Sequence, residues 1–235
     1  MMMHDRCLAH LISALSVGKA IRRSLRQSPA NDDTFREPSV VCSAVDGKGD
    51  LRSSEMKDWN VVVTVSDRFA RRHAQRGLEK FGKVETTGFH NVLVMEVDDI
   101  VALMRSLSEL MGRDMTLIND ISRLMPAQET FEFRSREEFD QKASAAILGW
   151  ADRIAGKTFH IRLHRRGMGD QLSSLSEEKQ LDTALLDKLV EMGQPGRIDF
   201  SDPDCVIDIE TVNNRAGLSL WTREDLRRFP FLMVD

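Results

Sequence analysis

The stretch FHIRLHRR at residues 159–166 has the strict alternation of a β-strand, and it decides how the second half of the chain is interpreted. Side chains along a strand point alternately to opposite faces. The three apolar residues therefore share one face, while His160, Arg162 and His164 share the other. We expect the apolar face to contact a hydrophobic core and the polar face to contact solvent.

The end of this strand carries the first candidate binding site. Two further arginines follow His164, and two glycines come directly after them. Long cationic side chains next to exposed backbone amides are suited to contacts with a phosphate backbone. The candidate RNA-binding residues of this segment are Arg162, His164, Arg165, Arg166 and Gly167.

The same strand face also has an interpretation without a ligand. Arg162 could form a cross-strand ion pair with Asp208 or Glu210, which alternate with apolar residues in the sequence VIDIE. A metal site is not predicted, because the Cα atoms of His160 and His164 would lie about 13 Å apart along one strand.

A second basic cluster lies in DRFARRHAQRGLEKFG, residues 67–82, which has the periodicity of an amphipathic helix. Arg68, Arg72 and Arg76 are spaced four residues apart and share one helix face. Arg72 and Arg76 are therefore further candidate RNA-binding residues. The alternative is a charged helix face that is merely solvated.

Residues 58–125 are predicted to form the first domain, with the order strand, helix, strand, strand, helix, strand. The first strand is WNVVVTV, and the last is expected around residues 115–121. This order is typical of the ferredoxin-like fold. Residues 122–133 are expected to form an extended connector.

Residues 126–235 are predicted to form a second domain of mixed helices and strands, so the fold class is α+β. Its longest predicted helix, SEEKQLDTALLDKLVEMG, is expected to be capped by Ser176. Residues 1–57 contain SPANDD, EPS and DGKGD but little apolar periodicity, so we expect a disordered leader.

Composition excludes several classes of protein. The 235 residues are 41% hydrophobic and carry 33 basic and 37 acidic side chains, a net charge of -4, so a nucleic-acid site must be local. The three cysteines form no CxxC pair, and no stretch is apolar enough to span a bilayer. We therefore expect a cytoplasmic protein without membrane contact.

Sequence motifs of enzymes and cofactor sites are missing. The chain contains neither a GxSxG nucleophile motif nor a GxxxxGK[ST] phosphate loop, and its GxG at residues 167–169 lacks the third glycine of a dinucleotide loop. The sequence therefore predicts no cofactor, no metal and no enzymatic activity of its own.

The second domain resembles the THUMP family of RNA-binding modules. The resemblance is carried by FHIRLHRRG, RIDFSDPDCVIDIE and AGLSLWTRED, in the order and spacing typical of that family. Together with the preceding domain and the connector ISRLMP, the chain is similar to stand-alone THUMP proteins that serve tRNA acetyltransferases as adaptors.

The resemblance implies that the protein binds tRNA at its acceptor end and presents it to a separate tRNA-modifying enzyme. Another structured RNA is an alternative ligand. A different class of function is a protein-interaction or regulatory role without RNA affinity, which the acidic balance of residues 126–235, with 15 basic and 20 acidic side chains, permits. The oligomeric state is left open.

Overall fold

A computed structural model describes residues 58–169 and 171–232 of the chain. The predicted disordered leader, residues 1–57, lies outside the described residues. The described residues belong to one compact unit. They contain seven α-helices, a terminal 3₁₀ turn and two β-sheets.

The elements alternate between helices and strands along most of the chain. The nine strands are β1 (Val61–Val65), β2 (Lys83–Thr86), β3 (Val92–Glu96), β4 (Ile121–Pro126), β5 (Glu129–Glu132), β6 (Thr158–Arg166), β7 (Arg197–Ile198), β8 (Cys205–Val212) and β9 (Arg215–Thr222). The seven helices are α1 (Arg68–Leu78), α2 (Ile100–Met111), α3 (Thr116–Asp120), α4 (Arg136–Gly149), α5 (Ala151–Ile154), α6 (Ser174–Glu191) and α7 (Arg223–Arg228). The 3₁₀ turn covers Pro230–Leu232.

The first sheet has the strand order β2-β3-β1-β4, and all its neighbouring strands are antiparallel. This is the predicted ferredoxin-like arrangement. Asp67 caps α1 by accepting hydrogen bonds from two backbone amides, and Asp99 caps α2 in the same way with one. The buried faces of both helices pack with alternate residues of β1 in one apolar core.

The last strand of this sheet lies further along the chain than the sequence predicted. Most of residues 115–121 lie in the short helix α3, and only Ile121 belongs to a strand. The strand is β4, within the predicted connector, and all its residues except Ser122 are buried. Pro126 ends β4 at the edge of the sheet, a position where a missing amide hydrogen is tolerated.

The second sheet has the strand order β5-β9-β8-β6-β7. β6 pairs in parallel with both β8 and β7, while β9 pairs antiparallel with β8 and β5. Helix α4 is capped by Ser135, and helix α6 is capped by Ser173 rather than by the predicted Ser176. The apolar residues of both helices form a second core with one face of this sheet.

The C-terminal segment joins the second sheet to the first core. Helix α7 begins with a reciprocal capping box between Thr222 and Asp225. Phe231 and Leu232 in the following turn are buried in the core of the first sheet. The α+β fold class is confirmed, whereas the domain boundary between residues 125 and 126 stays a prediction. Among the described helices, none is both long and apolar enough to cross a membrane.

Candidate nucleic-acid interface

The polar face of β6 is largely buried, whereas the sequence predicted that it contacts solvent. Asp208 and Glu210, on the same face of the adjacent strand β8, are fully buried, and His160 is also buried. The first sheet covers part of this face through an apolar contact that includes Trp59, Val62 and residues of β3 and β8. The alternation in the sequence correctly identified the core on the apolar face of β6. It did not predict that the first sheet covers the polar face.

A cluster of charged side chains lies in this buried contact. Arg123 reaches from β4 of the first sheet, and its guanidinium pairs with Glu210 and lies 3.5 Å from the Asp208 carboxylate. Arg166 pairs with the other oxygen of Glu210. Two cations thus face two anions, which is the balance that buried charges require.

The burial of the cluster changes its acid–base chemistry. Burial raises the pKa of Asp208 to about 6, although Arg123, Arg166 and Arg162 oppose the shift. Burial, together with the charge of Arg123, lowers the pKa of Arg166 to about 10. Both groups are therefore mainly ionised at neutral pH, and the cluster holds the two sheets together as an ion-pair network.

His164 belongs to this network rather than to the surface. Burial, followed by the charges of Arg123, Arg166 and Arg162, lowers the pKa of its imidazole to about 3. Its Nε2 contacts Nη1 of Arg123. Because the guanidinium has only donors, Nε2 accepts this hydrogen bond and the ring is assigned as neutral. A neutral imidazole in this position supplies no positive charge to a phosphate.

Arg166 is likewise occupied inside the protein. Besides its ion pair with Glu210, its Nη2 donates a hydrogen bond to Oγ1 of Thr64 at 2.9 Å. Thr64 lies near the end of β1, so this contact brings the end of β6 next to the end of β1. Arg166 therefore connects the two sheets, and its replacement would disturb that connection.

The loop after β6 exposes backbone and one arginine. Gly167 has a φ of 95°, and a Cβ at this position would lie 2.9 Å from Cα of Asn213, so only glycine fits. Arg165 is exposed, and its Nη1 donates to the carbonyl of Gly167 at 3.0 Å. Arg162 is half-buried on the covered face, in register with Asp208.

Helix α1 follows β1, whose end contacts Arg166. Its first residue, Arg68, follows Thr64 by four residues, so their Cα atoms can be no more than about 14 Å apart. Arg68 and Arg72 are both exposed. Arg76 is exposed as well, but it lies two helical turns beyond Arg68, about 12 Å along the helix axis.

The structure thus brings together only part of the predicted site. Arg165 and Gly167 lie at the end of β6 and Arg72 is exposed on α1, whereas His164 and Arg166 are used in the buried network. Arg68 is exposed as well. The exposed arginines Arg68, Arg72 and Arg165 are named the basic surface below. Guanidinium groups can bind phosphate oxygens with paired hydrogen bonds, so this surface is suited to a polyanion.

Two informative residues were missed from the sequence. Arg123 lies in a segment that was interpreted as a connector, although a single charge within the otherwise buried run ISRLMP indicates a paired interior cation. Phe69 in α1 was not a candidate site residue, but its side chain is 75% exposed. The buried stripe of that helix is Ala70, Ala74 and Leu78, and Phe69 lies beside it.

A pH experiment tests the assignment of His164. Since its pKa is about 3 in the folded protein and near 6.5 in the unfolded chain, the unfolded state binds more protons between these values. Stability is therefore lost as pH falls through this window. We expect His164→Gln to lose less stability than wild type between pH 7.5 and pH 5, by on the order of 1 kcal/mol, in urea unfolding at both pH values.

The raised pKa of Asp208 has the opposite effect on stability as pH falls, because the native state binds the additional proton. That contribution is present in both proteins and largely cancels in the comparison. An imidazole of His164 that titrates near pH 6.5 in NMR spectra of the folded protein would contradict the assignment.

Comparisons with known proteins concern the fold. No protein-family model matches the chain, and no curated protein sequence matches it. Among solved structures, PH1313 from Pyrococcus horikoshii Ot3 is 14% identical with a TM-score of 0.48, and the match covers 69% of this chain and 54% of that one.

Two further matched structures are also distant in sequence. TrmN from Thermus thermophilus is 16% identical with a TM-score of 0.46, covering 68% of this chain and 44% of that one. A 4-thiouridine synthetase, solved in complex with RNA and ATP, has the same identity and TM-score and covers 70% of this chain and 42% of that one. The chain thus spans about half the length, or less, of these structures.

These matches are similarities to a THUMP-like fold, and they correct one prediction. The sequence predicted that the protein is not an enzyme. The matched structures include a synthetase and three proteins described as methylases or methyltransferases, which contradicts that prediction. We therefore do not describe the protein as non-catalytic.

Proposed function

We propose that this protein binds tRNA, or another structured RNA, through its basic surface. The observation that carries the proposal is the exposure of three arginines, Arg165 at the end of β6 and Arg68 and Arg72 on helix α1. The hydrogen bond between Arg166 and Thr64 joins the ends of β6 and β1, and α1 follows β1 in the chain. The chain as a whole is acidic, so this local excess of positive charge is the feature that fits a phosphate backbone.

The finer proposal concerns what the bound RNA is used for. The THUMP-like resemblance supports binding at the acceptor end of tRNA and presentation of that end to a tRNA-modifying enzyme. Contacts to phosphates position an RNA without reading its sequence. We therefore expect similar affinities for different tRNA species.

The first test is a titration of the full chain with bulk tRNA and with duplex DNA of similar charge at several salt concentrations. We expect preferential binding of tRNA, with log K falling linearly against log salt. Arg165→Ala should reduce the steepness of that dependence by about 0.7 to 0.9, because one phosphate contact is lost. It should lower affinity by a similar factor for all tRNA species.

Arg197→Ala is the matched control. Arg197 is exposed on β7, which pairs with the first residues of β6, about 23 Å of strand away from Arg165. This variant should retain the wild-type salt dependence. Arg166 is not a suitable position, because its loss would disturb the network with Glu210 as well as any RNA contact.

Absence of tRNA binding at low salt would contradict the proposal. The function would then be sought in the alternative class, a protein-interaction or regulatory role without RNA affinity. A wild-type affinity for Arg165→Ala, with tRNA still bound, would instead contradict only the position of the site.

A further inference from the structure

An exposed aromatic ring stands beside the basic surface. Phe69, on the first turn of α1, has a side chain that is 75% exposed, whereas the buried stripe of the helix is formed by Ala70 and its neighbours four and eight residues on. The position is well defined, because the carboxylate of Asp67 accepts hydrogen bonds from the amides of Phe69 at 2.7 Å and Ala70 at 2.9 Å.

Two arginines of helix α1 lie beside the ring. The guanidinium carbon of Arg68 lies 4.7 Å from the Phe69 ring centroid, a cation–π distance. Arg72 follows Phe69 by three residues and therefore lies on an adjacent part of the helix surface. The ring is thus flanked by two cations of the basic surface, which would hold the phosphates on either side of a base.

A π-face next to guanidinium groups is the combination that binds single-stranded nucleic acids. Bases within a duplex are already stacked on their neighbours, so they offer no free face to a protein ring. An unpaired base does, and stacking on an aromatic side chain does not depend on which base it is.

We propose that Phe69 stacks on an unpaired base of the bound RNA, so that the ligand of the basic surface includes a single-stranded segment. The inference rests on the proposed function, since the arginines must hold the RNA backbone for the ring to reach a base. It adds that this surface discriminates in favour of unpaired over fully paired RNA.

The test compares two probes on the full chain: a short single-stranded RNA and a blunt-ended RNA duplex of the same length. Phe69→Ala should weaken binding of the single strand by about 5- to 150-fold. Binding of the duplex should change by less than about twofold, since no unpaired base is lost from the contact. Phe69→Trp should restore strong binding of the single strand, because the indole offers a larger stacking face.

Stacking and ion pairing can be separated by salt. Phe69→Ala removes no charge, so its log K should keep the wild-type dependence on log salt, whereas Arg165→Ala should change it. Phe200→Ala is the matched control: Phe200 is 71% exposed, but it follows β7, which pairs with the opposite end of β6. This control should bind both probes as wild type does.

Each outcome has one meaning. Equal binding of the single strand by wild type and Phe69→Ala overturns the stacking role and leaves the basic surface in place. A similar loss for both probes overturns it as well, because that result indicates a general change of the helix. If wild type binds neither probe at low salt, the proposed function itself fails, and Phe69 is left as a contact for a protein.

Discussion

Replacing Arg123 by methionine is expected to lower the free energy of unfolding by about 3–5 kcal/mol. Arg123 is buried, and its guanidinium is the ion-pair partner that the first sheet provides to Asp208 and Glu210 of the second. With Arg123 present, the network holds two cations and two anions. Without it, two fully buried carboxylates share Arg166 alone, so one negative charge is left unbalanced in the interior.

A second variant tests whether the stability lost in Arg123→Met is caused by the unbalanced charge. Combining Arg123→Met with Asp208→Asn leaves Glu210 paired with Arg166, one anion with one cation. We expect the double variant to regain at least half of the lost stability, since removing both partners of a buried pair costs far less than removing one. Urea unfolding of the wild type and both variants measures this directly.

A control and a pH dependence make the prediction specific. Arg76→Met changes an exposed arginine and should stay within about 0.5 kcal/mol of wild type. The loss in Arg123→Met should be smaller at pH 5 than at pH 8, because a buried carboxylate without a partner is relieved by taking up a proton. A loss below about 1 kcal/mol at pH 8 would show that the network does not hold the sheets together.

The same network explains how far the sequence could predict the structure. Alternation in residues 159–166 identified a strand and its inward face, because that information is local to the segment. It could not identify what covers the other face, because Arg123 lies in a strand of the other sheet and precedes residue 159 by 36 residues. A polar strand face has the same pattern whether water or a buried ion pair faces it.

The basic surface was predicted in part for a similar reason. Arg72 and Arg165 were selected because their residue type and position are exposed in any regular helix or strand end. The separation of Phe69 from the buried stripe was also encoded locally, since Ala70, Ala74 and Leu78 have the spacing of one helix face. The small size of alanine made that stripe inconspicuous, so the exposure of Phe69 was not predicted.

The second prediction with a large expected effect is the loss of RNA binding on reversing the charge of the basic surface. The triple variant Arg68→Glu, Arg72→Glu and Arg165→Glu should bind tRNA at least about 1000-fold more weakly than wild type, because three charge-assisted contacts of about 1.5 kcal/mol each are removed. Folding should be little affected, since the three residues are exposed and glutamate is favourable at the start of a helix.

The triple variant needs a control with the same change in net charge, because repulsion by the whole protein would also weaken RNA binding. Arg153→Glu, Arg197→Glu and Arg227→Glu provide it: all three arginines are exposed, and they lie on or next to elements at the opposite end of β6. Long-range repulsion is screened beyond about 8 Å at physiological salt, so it should weaken both triple variants equally and only slightly. A loss of tRNA affinity in the first variant alone assigns binding to Arg68, Arg72 and Arg165. Equal losses of affinity in the two variants would show that the RNA responds to overall charge and that the basic surface is not its site.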